Sequence, residues 1–226
     1  MSLGLSTVAV WGYSTAVLAN AAFVGYLVRR GFLSGHRDAA TRAFFAAIMA
    51  TIVWAGAALA EQAWDTSSQA TLLTDQLRYA AWFVFVLLSI RPAPTITDRS
   101  IFRSLVGVAV ALTAWGILAL VNGDGDSTHA GGLIANSLAL AVFGVVLLEQ
   151  LFRNQVETAR WNAKPVCLAL GFVFVFDLYV FTESVLFGSF DDDALAVRGA
   201  VHALATPLLL LATRRDAQWV TKIQVS

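Results

Sequence analysis

Charge is scarce in this chain. Of its 226 residues only 13% are Asp, Glu, Lys or Arg, while 58% are hydrophobic; a soluble domain carries roughly 25% charged residues. So little polar surface does not cover a water-soluble globule of this length, which excludes a cytosolic enzyme, a nucleic-acid binder and a disordered chain. Cysteine is nearly absent as well. Cys167 stands alone, excluding an internal disulfide and any cysteine-based metal cluster. Lysine occurs only as Lys164 and Lys222, and the fifteen basic and fifteen acidic residues cancel, so the overall balance suggests no polyanionic partner. A basic segment ahead of the first apolar stretch is also missing: Arg29 and Arg30 come after it, an order that does not read as a cleavable signal peptide. No long-period repeat, low-complexity tract or linker interrupts the chain, which predicts one domain over 1–213.

What the chain has in abundance is long apolar runs. A bilayer core needs about 20 apolar residues per helix, and seven stretches qualify, near 7–28, 43–64, 74–90, 104–122, 130–152, 165–187 and 197–213. They predict an all-α integral membrane protein, a seven-transmembrane-helix bundle. The third and seventh stretches are the shortest, each beginning with a charged turn. Thirteen of the fifteen basic residues follow the first, third, fifth and seventh stretches, as with Arg29, Arg30, Arg37 and Arg42 after the first. The other loops carry Asp65, Asp124, Asp126 and Asp191 to Asp193 with no Lys or Arg. Because cytoplasmic loops collect basic residues, this alternation predicts a multi-pass membrane protein with its N-terminus outside and its C-terminus in the cytoplasm. Pro165 is expected in the first turn of the sixth helix, where its missing N–H does no harm. Trp11, Trp64, Trp161 and Trp219 are expected near the interfaces, and Asn20 and Asn136 as interhelical hydrogen-bonding groups.

Ionisable groups inside spans are costly and usually mark function. Here they gather on the outer side. Glu61 and Gln62 end the second span; Asp75, Arg78 and Tyr79 open the third; Asp177, Tyr179 and Glu183 lie in the outer half of the sixth; Arg198 and His202 open the seventh. Arg78 and Arg198 are the only basic residues outside the cytoplasmic set, and an unpaired arginine there would be costly, so each is expected to pair with a carboxylate. Asp177 is on the order of 15 Å below the outer end of its helix, at 1.5 Å per residue. Two readings of the group compete: an ion-pair network fixing helix register, and a polar pocket open to the outside. The pocket reading names Glu61, Arg78, Tyr79, Asp177, Tyr179, Glu183, Arg198 and His202 as ligand-binding residues, for a small ligand or lipid of unspecified identity. Pro207 interrupts the seventh span, removes a backbone hydrogen bond and is the expected signal-transmitting kink. No metal site and no cofactor is expected.

The stretch Arg78-Tyr79-Ala80-Ala81-Trp82 resembles the Arg-Tyr-Ala-Asp-Trp of the third helix of microbial rhodopsins. Ala81 occupies its carboxylate position, however, and the seventh span has no lysine for a Schiff base, which disfavours a covalent retinal protein. A small transporter or proton-coupled channel remains the alternative, although internal repeats, a frequent mark of transporters, are missing. The segment 214–226 ends in a β-leaning apolar run, which predicts the start of a linker to a cytoplasmic domain.

Several stretches together resemble a known family. They are Leu77-Arg78-Tyr79-Ala80-Ala81-Trp82-Phe83, Glu149-Gln150-Leu151-Phe152-Arg153-Asn154, Arg160-Trp161, Phe176-Asp177-Leu178, Arg198-Gly199 and His202-Ala203-Leu204-Ala205-Thr206-Pro207-Leu208. On these the chain is similar to the N-terminal membrane region of the PEP-CTERM-system sensor histidine kinases (the PrsK type), a pattern that often has Asn where His202 stands. The resemblance implies a sensory input domain followed by a GAF-like domain and a dimeric histidine kinase core. The full protein would phosphorylate a response regulator controlling exopolysaccharide and PEP-CTERM genes. None of that kinase machinery is visible in these residues, so the chain itself is expected to be catalytically inert.

Overall fold

The computed structural model describes residues 2–32, 38–64, 66–90, 96–122, 127–155, 157–188 and 191–215. Within them run seven helices and, among the described residues, no strand: α1 (Ser2–Arg29), α2 (Ala39–Trp64), α3 (Ser68–Ser89), α4 (Ile96–Asn122), α5 (Ser127–Arg153), α6 (Glu157–Phe187) and α7 (Asp192–Arg215). Six of them, all but α3, are long and apolar enough to cross a bilayer. The exception has Asp75, Gln76 and Arg78 in its first half.

Local chemistry sets the helix ends. Asp38 caps α2, its carboxylate accepting from the Thr41 N–H and hydroxyl at 3.2 and 2.5 Å, which satisfies donors a helix start leaves free. Asp191 does the same for α7, accepting from Asp193 N–H at 2.9 Å. Gly188, at φ +70°, ends α6 with its N–H donating to the Ser184 carbonyl, a left-handed conformation that favours glycine.

Every helix packs on its chain neighbours and α7 closes back onto α1; α3 also meets α5, leaving α4 at the periphery. The apolar window of α4 is accordingly the least buried of the six. Glycine permits the α1–α7 closure. A Cβ on Gly199 would stand 2.6 Å from the Tyr13 backbone nitrogen and 2.7 Å from the Gly12 carbonyl carbon, so the two backbones touch. A large apolar core fills the half of the bundle toward Arg29, Arg153 and Arg214, built on Phe44, Phe83, Phe85, Leu147 and Phe174; a smaller one around Tyr13, Trp54 and Ala58 lies toward the other end.

The helices extend past the apolar stretches that reveal them. α6 starts at Glu157, so Pro165 is inside the helix and not in its first turn. The polar segment 157–164 continues the helix beyond the apolar run, where hydropathy gives no signal. Pro207 likewise sits inside a helix that continues to Arg215. For the same reason Arg78 and Arg198 lie deeper than helix-opening positions: α3 and α7 begin at Ser68 and Asp192. Of the interfacial tryptophans, Trp11, Trp64 and Trp161 are exposed, and Trp219 lies outside the described residues. Asn20 donates to the Ala16 carbonyl of its own helix, whereas Asn136 does reach across, to Gln76 at 3.4 Å.

Candidate functional site

Four charged side chains from three helices close a ring. On α3, Arg78 Nε donates to Asp75 Oδ1 at 2.8 Å, with Nη2 2.7 Å from the same oxygen. Arg78 Nη2 also donates to Asp177 Oδ2 of α6 at 2.9 Å. Arg198 of α7 donates through Nε to Asp177 Oδ1 at 2.7 Å and through Nη2 to Asp75 Oδ2 at 2.8 Å. Each arginine thus bridges both aspartates, and the formal charges sum to zero. All four residues are buried, Arg78 and Asp177 completely. In an apolar interior such groups persist only with this kind of mutual satisfaction.

Three further side chains complete the cluster. The Tyr79 hydroxyl donates to Asp177 Oδ2 at 2.6 Å. His202 places Nε2 2.8 Å from Arg78 Nη1 and Nδ1 2.9 Å from the Arg198 carbonyl. A guanidinium only donates and a carbonyl only accepts, so these contacts assign a neutral imidazole with its proton on Nδ1. Beneath the ring lies Trp54 of α2, fully buried. Its ring carries the Arg78 Cζ at 4.6 Å and the Arg198 Cζ at 4.8 Å, and the His202 ring at 4.4 Å. The π face supplies negative potential to both cations.

Toward the end of the bundle where α2 finishes and α3 and α7 begin, the ring opens into a recess of about 350 Å³, a size typical of small-ligand sites. Asp75 and Arg198 form part of its wall, together with Tyr13 of α1, Glu61 and Gln62 of α2, and Phe181 of α6; Ser68, Thr71 and Leu195 stand around them. Tyr13 is held in place by donating its hydroxyl to the Leu195 carbonyl at 3.2 Å and by an edge contact with Trp54.

Of the residues singled out by sequence, Arg78, Tyr79, Asp177, Arg198 and His202 meet in the one cluster, and Glu61 lines the recess beside it. Tyr179 and Glu183 do not join them. Tyr179 is 53% exposed with its hydroxyl near the half-buried Glu183 carboxylate, and neither is among the residues that line the recess. Helical phase explains the separation. Asp177, Phe181 and Ser184 share the inward face and are buried, whereas positions 179 and 183 fall on another. Participants that the sequence reading of the pocket did not name include Asp75, Tyr13, Phe181 and Trp54. The three aromatics carry no polar flag among so many apolar neighbours. Asp75 was legible, since it stands three residues before Arg78 and so on the same face.

Among the described residues no group of three His, Cys, Asp or Glu side chains is placed to hold a metal ion. No family model, no curated protein and no solved structure matches the chain.

Proposed function

We propose that this bundle is the membrane-embedded sensory input domain of a bacterial two-component histidine kinase, and that its recess receives the signal. The observation that carries the reading is the recess itself, walled by five helices and resting on a neutral ring that ties α3, α6 and α7 together. A ligand that engages Asp75 or Arg198 competes with ring bonds. It therefore binds one arrangement of these helices better than another, which is the requirement for shifting an equilibrium. α7 runs from the ring through Pro207 to Arg215, a continuous element along which such a shift would reach a kinase core.

In this reading the chain crosses the inner membrane seven times, with the recess outward and the C-terminus in the cytoplasm. The charges that keep α3 from looking like a span are absorbed within the protein by the ring, which is what a spanning α3 requires. Phosphotransfer is the work of a separate kinase core, dimeric and acting on a response regulator. The output, exopolysaccharide and PEP-CTERM gene expression, follows from the sequence resemblance alone.

The experiment joins the bundle to a histidine kinase core and follows autophosphorylation in cells and in vesicles. Ser68→Trp, which obstructs the recess at its rim, should fix the kinase at one activity whatever the external medium. Leu168→Trp, on an exposed helix face, should leave regulation intact. Equal regulation in both variants would remove the sensory role of the recess.

A further inference from the structure

Resting on that reading and extending it, we propose that the recess takes a small organic cation, an ammonium-bearing molecule whose charge is met by Glu61 and whose apolar part packs on Tyr13 and Phe181. The charge balance of the wall points to it. Among the described residues Arg198 is the only basic one lining the recess, and its Nε and Nη2 are committed to Asp177 and Asp75. The ring is neutral as a whole. Glu61 is left over, a carboxylate on the wall with no ion pair among the described residues.

The surroundings of the recess mouth add to this independently. The same end of the bundle carries Asp191, Asp192 and Asp193 at the start of α7, next to the lining residue Leu195. The basic residues outside the ring that terminate helices, Arg29, Arg153 and Arg214, all stand at the opposite end. A cleft of one sign with low-dielectric walls concentrates ions of the other sign, so this mouth gathers cations and turns anions away. A metal ion suits the wall poorly, because among the described residues Glu61 and the already engaged Asp75 are its only carboxylates and no group of three His, Cys, Asp or Glu side chains is placed to hold one. A molecule with a cationic nitrogen does suit it: Glu61 meets the charge, and an apolar moiety would cover the Tyr13 and Phe181 rings.

The test is calorimetric titration of the full chain in lipid nanodiscs with four probes: choline, ethanolammonium, the neutral choline isostere 3,3-dimethylbutanol, and acetate. Choline or ethanolammonium should bind saturably, and dimethylbutanol and acetate about tenfold or more weaker, the worth of one charge-assisted contact. Glu61→Gln should weaken the binding cation about tenfold, while Glu183→Gln, off the recess, leaves it unchanged. Should Glu61→Gln fail to fold, the salt dependence of the unmodified chain decides, since cation affinity must fall with ionic strength. Acetate or dimethylbutanol binding as tightly as either cation, or a folded Glu61→Gln binding choline and ethanolammonium as before, or a salt-independent cation affinity, overturns the cation assignment and leaves the sensory recess standing. No saturable binding of any probe overturns the cation assignment; a recess that also fails the Ser68→Trp test falls with it.

Discussion

Asp177 accepts hydrogen bonds from three different side chains, Arg78, Arg198 and Tyr79, and is wholly buried. Removing its charge leaves two buried guanidiniums facing Asp75 alone. Asp177→Asn, nearly unchanged in shape, should therefore destabilise the bundle by about 3–5 kcal/mol, read from denaturant unfolding in micelles. Replacing the entire ring with apolar residues of similar volume (Asp75→Leu, Arg78→Met, Asp177→Leu, Arg198→Met) should recover most of that loss and still abolish regulation. A quadruple variant that remained regulated would show the ring to be scaffold only. Trp54 offers a parallel test. Trp54→Ala empties a fully buried site beneath both arginines and should cost about 3–5 kcal/mol. Trp54→Phe keeps an aromatic face and removes an indole N–H that has no partner among the described residues, so its cost should be far smaller. Neither role of Trp54 is visible in sequence, because a tryptophan in an apolar helix reads the same whether it faces lipid, as the exposed Trp115 does, or core. The charged members are legible for the opposite reason, since each is an anomaly in its span.

At the scale of the helix, the α1–α7 seam and the proline in α7 make separable predictions. Gly199→Ala must force Tyr13 and Gly12 backbone atoms away from a Cβ at 2.6–2.7 Å. It should destabilise by about 1–3 kcal/mol, the cost of overpacking. Gly107→Ala in α4, with nothing within 4 Å of the added carbon, should be neutral or gain up to about 1 kcal/mol. Equal melting temperatures for the two would refute the close seam. Pro207→Ala restores a donor to the Ala203 carbonyl and should stabilise α7 while weakening the response of the joined kinase. The helices themselves are legible because each contains an apolar stretch long enough to be unmistakable. Their ends are not. Residues 68–73, 157–164 and 192–196 are polar or mixed, yet they continue the helix of the adjoining stretch. Apolar length reports what the bilayer covers, and the backbone hydrogen-bond ladder runs on into the interface. The apparent shallowness of Arg78 and Arg198 and the misplacement of Pro165 share that origin.

For the molecule as a whole, the decisive property is its polarity along the bundle axis. One end carries Glu61, the aspartates before α7 and the recess mouth; the other carries Arg29, Arg30, Arg42, Arg153 and Arg214. The contacts of the basic end are of a kind suited to an interface. Arg30 and Arg214 both lie over the Tyr26 ring, at 5.2 and 5.4 Å, and Lys164 lies over Trp161 at 3.7 Å. The cytoplasmic side of a membrane retains basic segments, so the proposed function predicts an orientation in which this basic end is cytoplasmic and the recess faces outward. Single cysteines in a Cys167→Ala background check both this and the number of spans. Cysteines replacing Ser67, between α2 and α3, and Asp192, at the start of α7, should react with an impermeant maleimide added outside spheroplasts. One replacing Asn154, after α5, should react only after lysis. Were Ser67 and Asn154 to label from the same side, α3, α4 and α5 together would cross an even number of times. The recess could then not be both outward-facing and coupled through α7 to the cytoplasm.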